Sequence, residues 1–214
     1  MAVSSSLPCL ISWIDNIKIL KTAPYPDEPD VKVEKGFYAW YQTLKPEVDQ
    51  ALFAAANDPE CISSLESSSD FRVAVTGHSA GGAVATLHSY DLLHGDPSGT
   101  GGNFTLSSVF TYGSPRVGNE AFSSRSNDLM NAAQIPQFRV THYRDIVPHM
   151  PAEKTGYHHV AQEVWYNEES TAYQVCDISG EDSSCSNTCA PLHCTSIDDH
   201  LIYLALPLGS DHCK

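Results

Sequence analysis

Residues 71–82 read FRVAVTGHSAGG, and this stretch decides the fold class. Phe71 to Thr76 is an apolar, β-branched run of the kind that forms a buried strand. Gly77 to Gly82 interrupts it, and AVATLHSYDLL (83–93) follows with a helical pattern. Between strand and helix lies Gly77-His78-Ser79-Ala80-Gly81, a G-x-S-x-G turn. In that context the motif lifts a serine hydroxyl above the sheet on a strained backbone. Small residues are expected on both sides of the serine, at Gly77 and Gly81, with Gly82 letting the helix pack close to the sheet. The Ala80 N–H, at the helix start, is placed to stabilise an oxyanion.

Working outward, strands and helices alternate. Residues 107–113 (SSVFTYG), 137–145 (QFRVTHYRD) and 163–168 (EVWYNE) read as further strands. Residues 119–133 read as a helix, and DDHLIYLAL (198–206) as a short one. Before the motif, residues 31–38 alternate weakly and predict a strand. Apolar residues at helical spacing from Ala39 to Asn57 predict a helix. The order βαβ implies a mostly parallel α/β sheet in a single domain spanning residues 1–214. Residues 7–20, which include Trp13, have the spacing of a short amphipathic helix.

A serine nucleophile needs a base, and the base needs an orienting acid; in a strand–elbow–helix fold these follow in the order Ser, Asp or Glu, His. Asp145 ends a predicted strand and is the leading acid, ahead of Asp128 and Asp177. His200 is the leading base by order; His149, His158 and His159 lie too near Asp145 in sequence. His78, beside the serine, is expected to pack or bond structurally.

The formal net charge is −14, with 12 Lys and Arg. That argues against nucleic-acid partners, whose phosphates need clustered cations, and against a polybasic membrane grip. No apolar run is long enough to span a bilayer. Seven cysteines, five of them after residue 175, together with the sequon Asn103-Phe104-Thr105, favour an oxidising, secretory setting. The N-terminal stretch lacks a positive n-region and a cleavage site, so a targeting segment would lie outside this chain. The odd cysteine count leaves one thiol unpaired or a partner absent. Cys185, Cys189, His193 and Cys194 offer a competing zinc reading, without a paired C-x2-C knuckle.

The stretches VAVTGHSAGGAVAT, FTYGSPRVGNEAF, FRVTHYRDIVPHMP, GYHHVAQEVWY and DDHLIYL occur in an order that resembles the fungal class 3 lipase family, which also holds feruloyl esterases. The resemblance covers most of the chain from about residue 30. It implies an α/β-hydrolase fold, a Ser79–Asp145–His200 triad and no metal or organic cofactor. The implied partner is a lipid or other ester, met at an oil–water interface. It also implies a Cys176–Cys185 disulfide and a lid helix over residues 7–20 with Trp13 at the lid tryptophan position. Family members carry several strands before the lid, ending in a turn that supplies a second oxyanion donor. This chain has no such turn, so the resemblance implies a form shortened at its N-terminus. Three functions follow as expectations: acylglycerol lipase, feruloyl or short-chain esterase, or a catalytically silent homologue.

Overall fold

The computed structural model describes residues 19–63, 71–95, 104–189 and 193–208. The expected lid at 7–20 with Trp13, the sequon asparagine Asn103, and Cys9 and Cys213 fall outside them, apart from Ile19 and Leu20. Chain order is β1 (Lys21–Thr22), β2 (Val33–Glu34), α1 (Lys35–Asn57), α2 (Pro59–Ile62), β3 (Arg72–His78), α3 (Ala80–Gly95), β4 (Thr105–Tyr112), α4 (Glu120–Ala132), β5 (Gln137–His142), β6 (Glu163–Tyr166), β7 (Tyr173–Val175), β8 (Ile202–Tyr203) and β9 (Leu206–Pro207).

The central sheet has the order β3-β4-β5-β6-β7. Its first four strands are parallel, and β7 pairs antiparallel with β6. Helices α1, α3 and α4 enclose the main core with one face of the sheet. Tyr41, Leu87, Tyr90, Leu93, Val109 and Phe122 lie at its centre. Two core tyrosines reach polar partners, as buried phenols require: Tyr25 and Tyr41 both donate to Asp91, at 2.8 and 2.7 Å.

Several sequence expectations shift. The strand expected at 31–38 is only two residues long, because the Glu34 carboxylate accepts from Phe37 N at 2.6 Å and caps α1 four residues early. The strand expected to be buried at 71–76 lies at the edge of the described sheet, and Arg72, Ala74 and Thr76 are exposed. The helix expected at 198–206 is a single 3-10 turn, Asp199–Leu201, followed by the β8–β9 hairpin. Leu204 and Ala205 form its turn with φ of 53° and 60°, a left-handed pair that reverses the chain tightly.

Candidate active site

β3 delivers the G-x-S-x-G turn, and Ser79 sits at φ 58°. A non-glycine residue in the left-handed region costs about 1–3 kcal/mol unless its surroundings enforce it. They do so here. Ser79 N donates to Tyr112 O on β4 at 2.9 Å, and Ser79 O accepts from Gly82 N at 2.9 Å as α3 begins. The steric demand of the turn falls unevenly on its glycines. A Cβ on Gly77 would lie 2.2 Å from Gly81 O, and one on Gly82 would lie 2.8 Å from Ser114 Cβ. A Cβ on Gly81 would meet nothing within 4 Å, so the small residue expected there is not demanded by crowding. Helix α3 starts at Ala80, whose N–H is therefore among the amides without an intrahelical acceptor.

Asp145 lies three residues beyond β5 in a turn closed by its own N–H to His142 O at 2.9 Å. Its carboxylate is buried, yet three donors serve it: Val147 N at 2.8 Å on Oδ1, and His200 Nδ1 at 2.8 Å and the Tyr203 hydroxyl at 2.5 Å on Oδ2. A buried charge so paired is affordable where a bare one would not be. His200, fully buried in the 3-10 turn, thus gives its Nδ1–H to Asp145 and leaves Nε2 as the acceptor nitrogen. No hydrogen bond joins Ser79 Oγ to His200 Nε2; both atoms are buried without a partner among the described residues. Both residues adjoin His78, Ser79 through the chain and His200 through the stacked rings, and buried unsatisfied polar atoms there fit a place where a reacting group completes the bonding.

His78 holds this arrangement from beside the serine. Its ring stacks on His200 at 4.6 Å between centroids, and its Nε2 lies 2.8 Å from His200 O. Burial and the neighbouring His200 push its pKa down to about 4, so it is neutral at neutral pH. The rival histidines bond elsewhere or not at all. His158 Nε2 meets Ser179 O, His159 Nε2 meets Pro148 O, and neither nitrogen of His149 has a partner among the described residues. The weaker acid candidates are remote in environment: Asp128 is exposed on α4, and Asp177 caps Ser179 N in an exposed loop.

Two residues at the site, Tyr203 and Gly113, were not read from the sequence. Tyr203 comes three residues after His200, so a tyrosine at that spacing was the signal. Gly113 ends β4 at φ 56°, and a Cβ there would press within 3 Å of the Tyr203 hydroxyl, Asp145 Oδ2 and His200 Cε1 together. The glycine in Tyr112-Gly113-Ser114-Pro115 was legible as a turn residue, but not what it makes room for.

A buried ion pair braces the acid loop. Arg116 binds Glu181 through Nε at 2.7 Å and Nη2 at 2.6 Å, and its own N–H donates to Met150 O at 2.8 Å. Glu181 belongs to the loop closed by the Cys176–Cys185 disulfide, the pairing the resemblance implied. Burial opposes its charge, but the Arg116 hydrogen bonds and the nearby His159 outweigh it and hold the carboxyl well below its usual range. Cys194 is also disulfide-bonded, and Cys61 is a free, exposed thiol. The zinc reading loses Cys185, whose sulfur is committed to the disulfide.

Residues 7–155 match the family Lipase (class 3). A lipase of Rhizomucor miehei is 35% identical over 199 residues, covering 92% of this chain and 50% of its own length. Lipase II from Rhizopus niveus superposes with a TM-score of 0.74 at 32% identity, over 93% of this chain and 68% of that one. A solved triacylglycerol lipase, described as having a serine protease triad for its catalytic centre, gives a TM-score of 0.74 at 34% identity, over 95% of this chain and 70% of that one. The chain spans about half the length of the curated relatives it matches. With this likeness in sequence and architecture, the chain belongs to the class 3 lipase family and has its α/β-hydrolase fold.

Proposed function

We propose that this chain is the catalytic portion of a serine carboxylic ester hydrolase acting on acylglycerols, with Ser79, His200 and Asp145 as its triad. The observation that carries the reading is His200: it is buried, held through Nδ1 by Asp145, and presents an Nε2 without a partner among the described residues, next to His78 of the strained Ser79 turn.

In this reading His200 Nε2 takes the Ser79 proton as Oγ attacks the ester carbonyl. Asp145 fixes the imidazole tautomer and balances the charge that forms. The tetrahedral oxyanion faces the Ala80 N–H at the positive end of α3. His200 then protonates the leaving alcohol, the acyl-enzyme forms, and water releases the acid by the reverse sequence. The Tyr203 hydroxyl and Val147 N share the load on Asp145, keeping its carboxylate aimed at the ring.

An apolar substrate is supported by the hairpin that follows the catalytic histidine. Ile202, Leu204 and Leu206 are 42, 41 and 60% exposed next to the site, a surface suited to lipid rather than to a polar phenolic ester. The disulfide at Cys176–Cys185 favours an oxidising, extracellular location.

The test is hydrolysis of p-nitrophenyl butyrate, a long-chain acylglycerol emulsion and a feruloyl ester by the chain and by Ser79→Ala. The expected result is activity on the first two that falls more than about 10³-fold in the variant. Activity on the feruloyl ester alone would favour the esterase. A folded parent inactive on all three would favour the silent homologue.

A further inference from the structure

His142 is the last residue of β5 and is only 3% exposed. Its ring lies between two backbone carbonyls. Nδ1 is 2.9 Å from Asp199 O, and Nε2 is 2.9 Å from Glu168 O. A carbonyl oxygen can only accept, so each contact needs a hydrogen on the ring nitrogen. A neutral imidazole carries one such hydrogen, and only the imidazolium carries two. In either neutral tautomer a bare nitrogen would face a carbonyl oxygen, lone pair against lone pair. Turning the ring over would set carbons against both carbonyls and forfeit both bonds.

The same residue touches the turns of both acid and base. Its own carbonyl accepts from Asp145 N at 2.9 Å, closing the turn that carries the acid. Its side chain holds the carbonyl of Asp199, the residue before His200 in the 3-10 turn that carries the base. Its other nitrogen reaches Glu168, in the turn between β6 and β7. The ring also meets the Tyr203 ring edge-on at 5.8 Å, and the Tyr203 hydroxyl donates to Asp145 Oδ2. Phenols and carboxylates dominate the surroundings. Tyr166 is its register partner on β6, and Tyr112 and His78 lie against Tyr203. The Asp199 carboxylate accepts from Arg144 N at 3.3 Å, while the Glu168 and Arg144 side chains are exposed. A buried cation is tolerated where acceptors meet each of its donors.

We propose that His142 is a positioning residue that acts as a buried imidazolium, donating to Asp199 O and Glu168 O at once and so fixing the His200 turn against β5 and the β6–β7 turn. This role rests on the proposed hydrolysis, because the turn it fixes carries the base of that reaction. Loss of one ring proton removes one of the two bonds and sets a bare nitrogen against a carbonyl. The turn that presents His200 to Asp145 then loosens, and the rate falls as the pH rises.

One measurement needs no substrate: nitrogen NMR of the histidine rings in the whole chain, with His142 assigned through the bonds to its own backbone. Two protonated ring nitrogens are expected at neutral pH, and a single one there overturns the proposal. The other measurement is kcat and KM on p-nitrophenyl butyrate between about pH 5 and pH 10, for the chain and for His142→Gln, whose amide does not titrate. His142→Gln is expected to lower kcat about tenfold at neutral pH with KM within about twofold. The parent is expected to fall toward the variant's rate as the pH rises, and the variant to lack that alkaline limb. Parental kcat in the variant, or an alkaline limb matching the parent's, overturns the proposal. If the variant fails to fold, the ring spectra decide across the same pH range: loss of the second proton must coincide with the parent's alkaline limb. A folded parent that hydrolyses no ester refutes the hydrolysis rather than the clamp. Exchange of the His200 Nδ1–H then decides: it is expected to quicken at least about tenfold in His142→Gln, and unchanged exchange overturns the proposal.

Discussion

Replacing Gly77 by alanine should damage the site in a way that replacing Gly81 does not, although both belong to one five-residue motif. The added Cβ at position 77 would sit 2.2 Å from Gly81 O, 2.5 Å from Gly81 C and 2.8 Å from Gly82 N. All three are backbone atoms in the first turn of α3, so no side chain can swing away. Ordinary contact distance requires the helix start to retreat by more than about 1 Å, and a misplacement of that size costs roughly 10² in rate. Overpacking of this kind also costs about 1–3 kcal/mol, a fall in Tm of roughly 3–10 °C for a chain of this length. At Gly81 the new methyl meets open space. There the substitution removes chain entropy from the unfolded state and favours the helix by about 0.5–1 kcal/mol. The assay is kcat/KM on p-nitrophenyl butyrate together with thermal melts for both variants. Near-parental rate and stability in Gly77→Ala would refute the reasoning, as would equal damage from Gly81→Ala.

Tyr203→Phe deletes one charge-assisted hydrogen bond to Asp145 while keeping the ring, and should lower kcat by about tenfold with little change in KM; an unchanged kcat would dismiss the phenol from the site. His78 and His149 are both held near pKa 4 by burial, below the value of about 6.5 for an unfolded histidine, so the unfolded chain binds more protons. Stability should therefore be full above about pH 6.5 and fall by about 1.4 kcal/mol per pH unit for each histidine down to about pH 4; a flat melting temperature across that window would contradict it. Arg116→Met should strand the buried Glu181 carboxylate and cost about 3–5 kcal/mol in chemical denaturation, whereas Arg116→Met with Glu181→Leu should recover most of that loss.

The parts of the fold that were legible in the sequence share a local cause. The elbow was readable because its strand, glycines and helix are adjacent in the chain, and each element carries its own period. Helix α4 was placed to within a residue because Asn119 caps it by bonding Phe122 N. Asp145 and His200 were ranked by chain order, and the structure brings them within 2.8 Å. The hairpin at Ile202–Pro207 was misread as helix because Leu204 and Ala205 favour helices in isolation. Their left-handed conformation is accompanied by contacts distant in sequence, with Tyr203 anchored on Asp145.

By itself, then, the sequence determined the α/β class and the serine turn, and it put Asp145 and His200 first among the candidates for acid and base, since each is written in short-range pattern and order. Tertiary structure alone decided that β3 lies at the edge of the described sheet, that crowding spares Gly81 but not Gly77, and that Tyr203 and Gly113 shape the surroundings of Asp145. Those facts are distances between residues far apart in the chain, and such distances exist only once the strands have paired and the loops have closed on one another.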